Sequence, residues 1–188
     1  MAARLGPAGG LIVADQPPLI ITAALDDGAF DWFDGLRQAH FPRHRNFIPA
    51  HLTLFHALPG AQEDFVLETL KSACRRQTPI RLDVRGPWSL GRGVAYRLAS
   101  ADLDRLRGQL ADAFSPSLTR QDQAPFRPHI TIQNKVEPAD AKTLLEQLQL
   151  EFEPFDILAE GLLVWRYLGG PWEAVDKITF EGKSTLDV

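Results

Sequence analysis

The 188-residue sequence has one cysteine, Cys74, so neither an internal disulfide nor a cysteine-based metal site can form. Apolar runs are also short: the longest, Leu19–Leu25, contains Thr22 and is far below the roughly 20 residues that cross a bilayer. The N-terminus lacks an apolar stretch long enough for a signal peptide. These absences predict a protein of the reducing cytoplasm that does not associate with membranes.

The sequence also lacks a strong net charge, because 20 basic and 24 acidic side chains give −4. The balance changes along the chain, from net +6 over residues 35–100 to net −7 over residues 136–188. A broad nucleic-acid-binding protein would need a strongly basic face, which this distribution excludes. The arginines of the middle segment fit either a solvated surface or a pocket for one phosphate-bearing ligand.

Composition and pattern together predict one domain with an α+β fold. The chain is 45% hydrophobic and 23% charged, as in ordinary globular proteins. Residues 1–18 are rich in Ala, Gly and Pro and are predicted to be a flexible leader, which leaves residues 19–188 as the domain. Within it, the order strand, helix, loop, short strand, helix and strand occurs twice. This repeat predicts two lobes, at about 19–92 and 93–188.

Both lobes contain a short strand of the form His, apolar, Thr, apolar. The first starts at His51 and the second at His129, 78 residues later, in matching places of the repeat. Side chains alternate along a strand, so the histidine and the threonine two residues later share a face. If the lobes face each other, His51, Thr53, His129 and Thr131 surround one cavity.

The same alternation adds two candidate substrate-binding residues. Phe55 follows Thr53 by two residues and is predicted on the cavity face. Arg127 precedes His129 by two residues, so a regular strand would place its guanidinium beside that imidazole. His56 is an odd number of residues from His51 and is predicted to face away, as a core or edge histidine.

Two imidazoles and two hydroxyls around one cavity suit chemistry on a phosphodiester. One imidazole can remove a proton from the attacking oxygen while the other protonates the leaving oxygen. The unperturbed pKa of histidine lies near 6.5, so both protonation states are accessible near neutrality. Threonine hydroxyls can donate to the phosphate oxygens, and an arginine can balance their charge. This logic requires no metal or other cofactor.

The paired motifs resemble those of the 2H phosphoesterase superfamily, and within it the 2'-5' RNA ligase or RNA 2',3'-cyclic phosphodiesterase family, also called LigT-like. The string Phe126–Thr131 is similar to the second motif of that family, including the Arg and Pro before the His. The resemblance implies two pseudo-symmetric lobes, with antiparallel sheets lining a central cleft and helices outside. It also implies His51 and His129 as acid and base, and Thr53 and Thr131 as phosphate donors.

For ring opening to a 2'-phosphate, the resemblance implies that His129 activates water and His51 protonates the departing 3'-oxygen. The sequence departs from the family at two places. Asn134 and Lys135 stand where an Arg often follows the second motif. His56 occupies the position at which RNA-processing members often carry an aromatic residue that stacks a base.

The predicted function is therefore that of a metal-independent phosphoesterase acting as a monomer on a 2',3'-cyclic phosphodiester, of RNA ends or of nucleotides. No protein partner is implied. Two alternatives stay open on the sequence. One is a cyclic phosphodiesterase for a small nucleotide such as ADP-ribose cyclic phosphate, and the other is a non-catalytic module that binds a nucleotide or RNA.

Overall fold

Strands and amphipathic helices alternate through the computed structural model, which describes residues 16–183. The strands are β1 (Leu19–Leu25), β2 (Thr53–Leu58), β3 (Ile80–Ser89), β4 (Val94–Ala99), β5 (His129–Gln133), β6 (Phe155–Tyr167) and β7 (Trp172–Thr179). The helices are α1 (Asp27–His40), α2 (Glu63–Cys74), α3 (Ala101–Phe114), α4 (Arg120–Gln123) and α5 (Pro138–Glu151). Most of the predicted leader, residues 1–15, lies outside the described residues.

Side-chain caps fix where the two long helices beside the motif strands begin. Asp26 accepts a hydrogen bond from the Ala29 N–H at the start of α1, and Ser100 accepts one from Leu103 N–H at the start of α3. Such caps satisfy N–H groups that the first helical turn leaves without a partner. α1 then buries Phe33 and Arg37 against the sheet.

All strand pairs are antiparallel, and the sheet order is β2-β1-β6-β3-β4-β5, with β7 also on β6. The long strand β6 joins the two halves. Its 159–166 segment pairs with β1, while the opposite edge pairs with β3 over 155–159 and with β7 over 161–167. The molecule is thus a bilobal α+β fold, with helices outside and antiparallel strands lining the cleft.

Each half of the sheet contains strands from both parts of the chain. β3 pairs with β4 across the sequence boundary at 92 and 93, and β1 pairs with β6 near the C-terminus. That boundary therefore marks a repeat of element order, β-α-β-α-β twice, and does not separate the two sheet halves. β3 continues through Gly86 and Pro87, and β6 is one unbroken strand.

The core lies between the sheet and the helices, where long apolar side chains from both lobes meet. Leu52, Leu54, Ile130 and Ile132 of the two motif segments all belong to it, with exposures of 0–1%. Since their neighbours in sequence alternate to the opposite face, burying these leucines and isoleucines directs the motif histidines and threonines toward the cleft. Among residues 16–183, no helix has the length and hydropathy to cross a membrane.

Candidate active site

The two motif strands are the ends of the sheet path, and they meet each other. β2 pairs only through β1 and β5 only through β4 on that path, but an antiparallel bridge joins Leu52 to Ile130. Each of these residues directly follows its motif histidine. The bridge thus holds the two histidine-bearing segments side by side at the centre of the cleft.

His51, Thr53, His129 and Thr131 line one cavity of about 200 Å³. All four are half-buried, so they face the cleft while their apolar neighbours face the core. The remaining walls come from Ile20, His56 and Trp172. The structure therefore brings together the four residues that the repeated motif predicted, and adds one histidine and one tryptophan.

Both motif imidazoles are held in the same way. Nδ1 of His51 lies 2.8 Å from the Pro49 carbonyl oxygen, and Nδ1 of His129 lies 2.8 Å from the Arg127 carbonyl oxygen. A carbonyl can only accept, so each Nδ1 carries the hydrogen and donates it. Each ring is left with Nε2 to act on a ligand: it accepts a proton when the ring is neutral and donates one when the ring is charged.

The electrostatic setting of His51 favours its neutral form. Burial lowers the pKa of the His51 ring to about 4, and the hydrogen bond to the Pro49 carbonyl opposes that shift. The positive charge of Arg37 lowers the pKa further, as do His129 and His56 when they are protonated. At neutral pH, His51 in the free protein is therefore a base with a lone pair on Nε2.

Two buried arginines tie each lobe's helix to the motif strand of the other lobe. Arg37 of α1 donates to the Thr131 carbonyl at 2.8 Å, and Arg107 of α3 donates to the Leu54 carbonyl at 3.3 Å. Burial lowers the pKa of Arg37 to about 10 and also lowers that of Arg107, with acidic Asp34 and Asp122 opposing the two shifts. The reciprocal contacts fix the separation of the two motif strands.

The prediction that Phe55 faces the cavity is wrong. Its side chain is 0% exposed, packs edge-on against Phe114 and lies under the Arg107 guanidinium. The cause is an irregular register between β1 and β2, where Ile21 pairs with Phe55 but Thr22 pairs with Thr53. The irregularity interrupts the two-residue alternation, so Phe55 joins Leu54 in the core.

The same irregularity returns His56 to the cavity wall, contrary to the prediction that it faces away. Its Nδ1 lies 3.0 Å from the Asp122 carboxylate, which is 1% exposed at the side chain. Burial raises the pKa of Asp122, but hydrogen bonds from the His56 ring and from the His56 and Ala57 N–H groups outweigh it and hold that pKa below its usual range. The ionised carboxylate therefore fixes Nδ1 of His56 as the donor and leaves Nε2 as its second polar atom.

Arg127 does not join the residues that line the cavity. β5 begins only at His129, so the alternation that would direct the Arg127 side chain to the cleft does not extend back to it. The side chain is exposed, and Arg127 contributes its backbone carbonyl, which holds the His129 ring. The prediction that the Arg127 guanidinium lies beside the His129 imidazole is therefore wrong.

The residues that sequence reasoning missed are those that distant pairing brings in. Trp172 reaches His51 because the β6–β7 hairpin returns it there, at 4.7 Å between ring centroids. Asp122 lies in the short α4, which is capped by Thr119, and reaches His56 across 66 residues of sequence. Within residues 16–183, no three His, Cys, Asp or Glu side chains are grouped so as to hold a metal ion.

The profile of the 2'-5' RNA ligase superfamily matches residues 25–171 of this chain. Comparison with curated protein sequences gives no match. Among solved structures, TT0787 of Thermus thermophilus is similar, with a TM-score of 0.64, 19% identity and coverage of 89% of this chain and 100% of that one.

LigT of E. coli has the same fold. Its apo form gives a TM-score of 0.59 at 17% identity, covering 88% of this chain and 98% of LigT. The complex of LigT with 3'-AMP gives 0.57 at 18% identity, with the same coverage. These similarities show a shared fold. The family is shown by the profile match, which spans well over half of the sequence and includes both motif strands: the chain belongs to the 2'-5' RNA ligase superfamily.

Proposed function

We propose that this chain is a metal-independent enzyme that opens a 2',3'-cyclic phosphodiester at the end of an RNA or on a nucleotide. The observation that carries the proposal is the meeting of His51, Thr53, His129 and Thr131 around one small cavity. Membership of the superfamily supports phosphoesterase chemistry in general. The cyclic substrate, the monomeric state and the cytoplasmic location are the finer parts of the proposal.

The reaction needs two proton transfers at one phosphate. A water oxygen attacks phosphorus while one imidazole Nε2 takes the water proton, forming the new P–O bond. The bond from phosphorus to the 3'-oxygen breaks, and the other imidazole donates its Nε2 proton to that oxygen, leaving a 2'-phosphate. The hydroxyls of Thr53 and Thr131 donate to the two non-bridging oxygens, where negative charge must be held throughout.

The assignment of base and acid depends on which ring starts neutral. A base must be neutral in the free enzyme, and the lowered pKa of His51 favours it for that role. This preference is opposite to the assignment implied by the family resemblance, in which His129 activates water. A bound phosphate raises the pKa of His51 by its negative charge and so acts against the preference.

A nucleotide substrate is supported by the neighbours. Crystal structures of LigT contain 3'-AMP, ATP or phosphate, and the fold of the present chain is the same. ADP-ribose cyclic phosphate is the second candidate substrate, since it carries the same ring phosphate on a ribose. A chain that only binds nucleotides would have the same cavity without turnover.

A product assay tests the proposal. The purified chain is incubated in EDTA with 2',3'-cyclic AMP, cyclic-phosphate-ended RNA or ADP-ribose 1'',2''-cyclic phosphate, and products are separated by chromatography. The expected result is a 2'-phosphate product from at least one substrate, with none from a His51→Ala/His129→Ala double variant. Binding without turnover would favour the non-catalytic module, and turnover that EDTA abolishes and a divalent ion restores would overturn the metal-independent mechanism.

A further inference from the structure

A second cavity shares two walls with the candidate active site. It has a volume of about 260 Å³, and His51 and Trp172 line both it and the histidine cavity. The two volumes together fall within the roughly 300–1,000 Å³ that is typical of small-molecule sites. The two cavities are therefore adjacent, with His51 and Trp172 between them, and a molecule whose phosphate lies between His51 and His129 would reach the second cavity past these two rings.

The walls of this second cavity are mainly apolar and aromatic. Three aromatic side chains contribute, Phe30 of α1, Trp165 of β6 and Trp172 of β7, and the indole rings of the two tryptophans lie 6.0 Å apart. Trp165 is fixed in place, because its Nε1 donates to the hydroxyl of the buried Thr22 at 3.0 Å. Asp27 and Lys177 are the charged residues among its walls.

The other motif histidine has a tryptophan neighbour whose ring is engaged differently. Trp88 lies 6.2 Å from His129 by ring centroids, and the Arg97 guanidinium lies over the Trp88 ring at 4.6 Å. One aromatic face of Trp88 is thus already occupied by a cation, whereas Trp172 forms a wall of both cavities. The pseudo-symmetric site therefore has an aromatic, apolar extension on the His51 side.

We propose that this cavity, which we call the tryptophan subsite, binds the nucleobase of the substrate whose phosphate reacts between His51 and His129. The proposal rests on the proposed function and deepens it, because it selects a nucleoside cyclic phosphate over a small non-aromatic phosphodiester. A nucleobase has flat apolar faces that stack on aromatic rings and polar edges that hydrogen-bond. The tryptophans offer the first kind of contact, and Asp27 and Lys177 the second.

Equilibrium binding of two probes tests the tryptophan subsite without requiring turnover. The probes are 2'-AMP, which has a base, and inorganic phosphate, which has none, and both are titrated by calorimetry. The Trp165→Leu variant is expected to weaken binding of 2'-AMP by about 5- to 150-fold, the range of base–aromatic stacking, and to weaken phosphate binding much less. Trp165→Phe keeps an aromatic face and is expected to retain most of the preference for 2'-AMP.

Trp32→Leu is the matched control. Trp32 is an exposed tryptophan on α1 that packs against Tyr96 and Phe155, away from both cavities, so its loss should leave the ratio of the two dissociation constants as in the wild type. If circular dichroism shows that Trp165→Leu does not fold, Phe30→Ala takes its place in the test. The Phe30 side chain lines the subsite and is 37% exposed, so its loss should destabilise the core little. A wild-type chain that binds 2'-AMP no more tightly than phosphate, or variants that weaken both probes equally, would overturn the subsite.

Turnover of 2',3'-cyclic AMP by the wild type separates this inference from the proposed function. Binding of 2'-AMP that depends on Trp165, without turnover, refutes the enzymatic function and supports the subsite. If the wild type turns over 2',3'-cyclic AMP but Trp165→Leu leaves the ratio of the dissociation constants of 2'-AMP and phosphate unchanged, the subsite is refuted and the function is supported.

Discussion

His51 and His129 are held alike but enclosed differently. Each donates from Nδ1 to the carbonyl oxygen two residues before it, at 2.8 Å in both cases. Around His51, the Trp172 ring is 4.7 Å away and also lines a second cavity. Around His129, the Trp88 ring is 6.2 Å away and lies under the Arg97 guanidinium.

The comparison separates the features that are the same in both halves of the fold from those that differ between them. The hydrogen bond from Nδ1 is made to the motif's own backbone, and both copies of the motif make it. The walls around each ring come from strands distant in sequence, and these differ between the halves. In the proposed mechanism, proton transfer therefore depends on the repeated part, while recognition of the rest of the substrate depends on the part that is not repeated.

The largest expected effect comes from removing either imidazole. His51→Ala and His129→Ala should each lower kcat by roughly 10²–10⁴-fold, because each removes one of two proton transfers at the same phosphate. The measurement is steady-state hydrolysis of the best cyclic phosphodiester, with circular dichroism to confirm folding. His44→Ala is the control, since His44 is exposed in the loop before β2. A His51→Ala variant with near wild-type turnover would contradict the pairing.

The motif residues were predictable because they depend on local alternation alone. A histidine and a threonine two residues apart share a face on any regular strand, and burial of Leu52 and Ile130 decides which face that is. The second copy of the pattern then predicted that two such faces meet. The structure shows what holds the two faces together: a bridge between Leu52 and Ile130, and two reciprocal arginine contacts.

Phe55, His56 and Trp172 were not predictable in this way, because their positions depend on partners far along the chain. The register irregularity that exchanges the environments of Phe55 and His56 exists only in the pairing of β2 with β1. Trp172 lies in the cavity because β6 carries β7 back across the sheet. Arg127 shows the limit of alternation: it precedes β5 by two residues, as His51 precedes β2, but only His51 lines the cavity.

A second prediction compares the arginines that brace the two halves. Arg37 donates to Asn46, Ile48 and Thr131 at 2.8–3.1 Å. Arg37→Leu leaves buried acceptors unsatisfied and should lower the free energy of unfolding by about 1–3 kcal/mol, measured by urea denaturation. Arg107 has fewer partners, the carbonyls of Leu54 and Asp122, so Arg107→Leu should cost less.

The exposed Arg43, which precedes β2, supplies the control for this comparison, and Arg43→Leu should leave the urea midpoint within the range of surface substitutions. Arg37→Lys keeps the positive charge but not the planar fork, so it should recover only part of the loss. Equal urea midpoints for wild type and Arg37→Leu would show that the contacts across the lobes do not stabilise the fold.

A third prediction uses pH to separate the histidines. The folded chain holds the pKa of His51 at about 4, below the unfolded value near 6.5, so the unfolded chain binds more protons between these pH values. Stability from this group is present above pH 6.5 and is lost as pH falls toward 4. His51→Asn should reduce the slope of stability against pH in this range, by the equivalent of less than one bound proton. His129→Asn keeps His51 and should retain most of that slope, because burial is the main cause of the lowered pKa of His51.

The smallest expected effect concerns His56, which has no equivalent in the second half. The residue five positions after His129 is Asn134, whose side chain accepts a hydrogen bond from Lys135 N–H at 2.7 Å and does not line the histidine cavity. His56 does line it, with Nδ1 held by Asp122 and Nε2 as its second polar atom. One hydrogen bond from Nε2 to the bound substrate is worth about 0.5–1.5 kcal/mol, so His56→Ala should raise KM for the cyclic phosphodiester by about 2- to 13-fold, more than it changes kcat.

Asn134→Ala, the matched variant in the other half, should leave KM unchanged. If His56→Ala instead lowers kcat as strongly as His51→Ala does, then the site uses three proton-transfer groups, and the two halves differ in chemistry as well as in recognition.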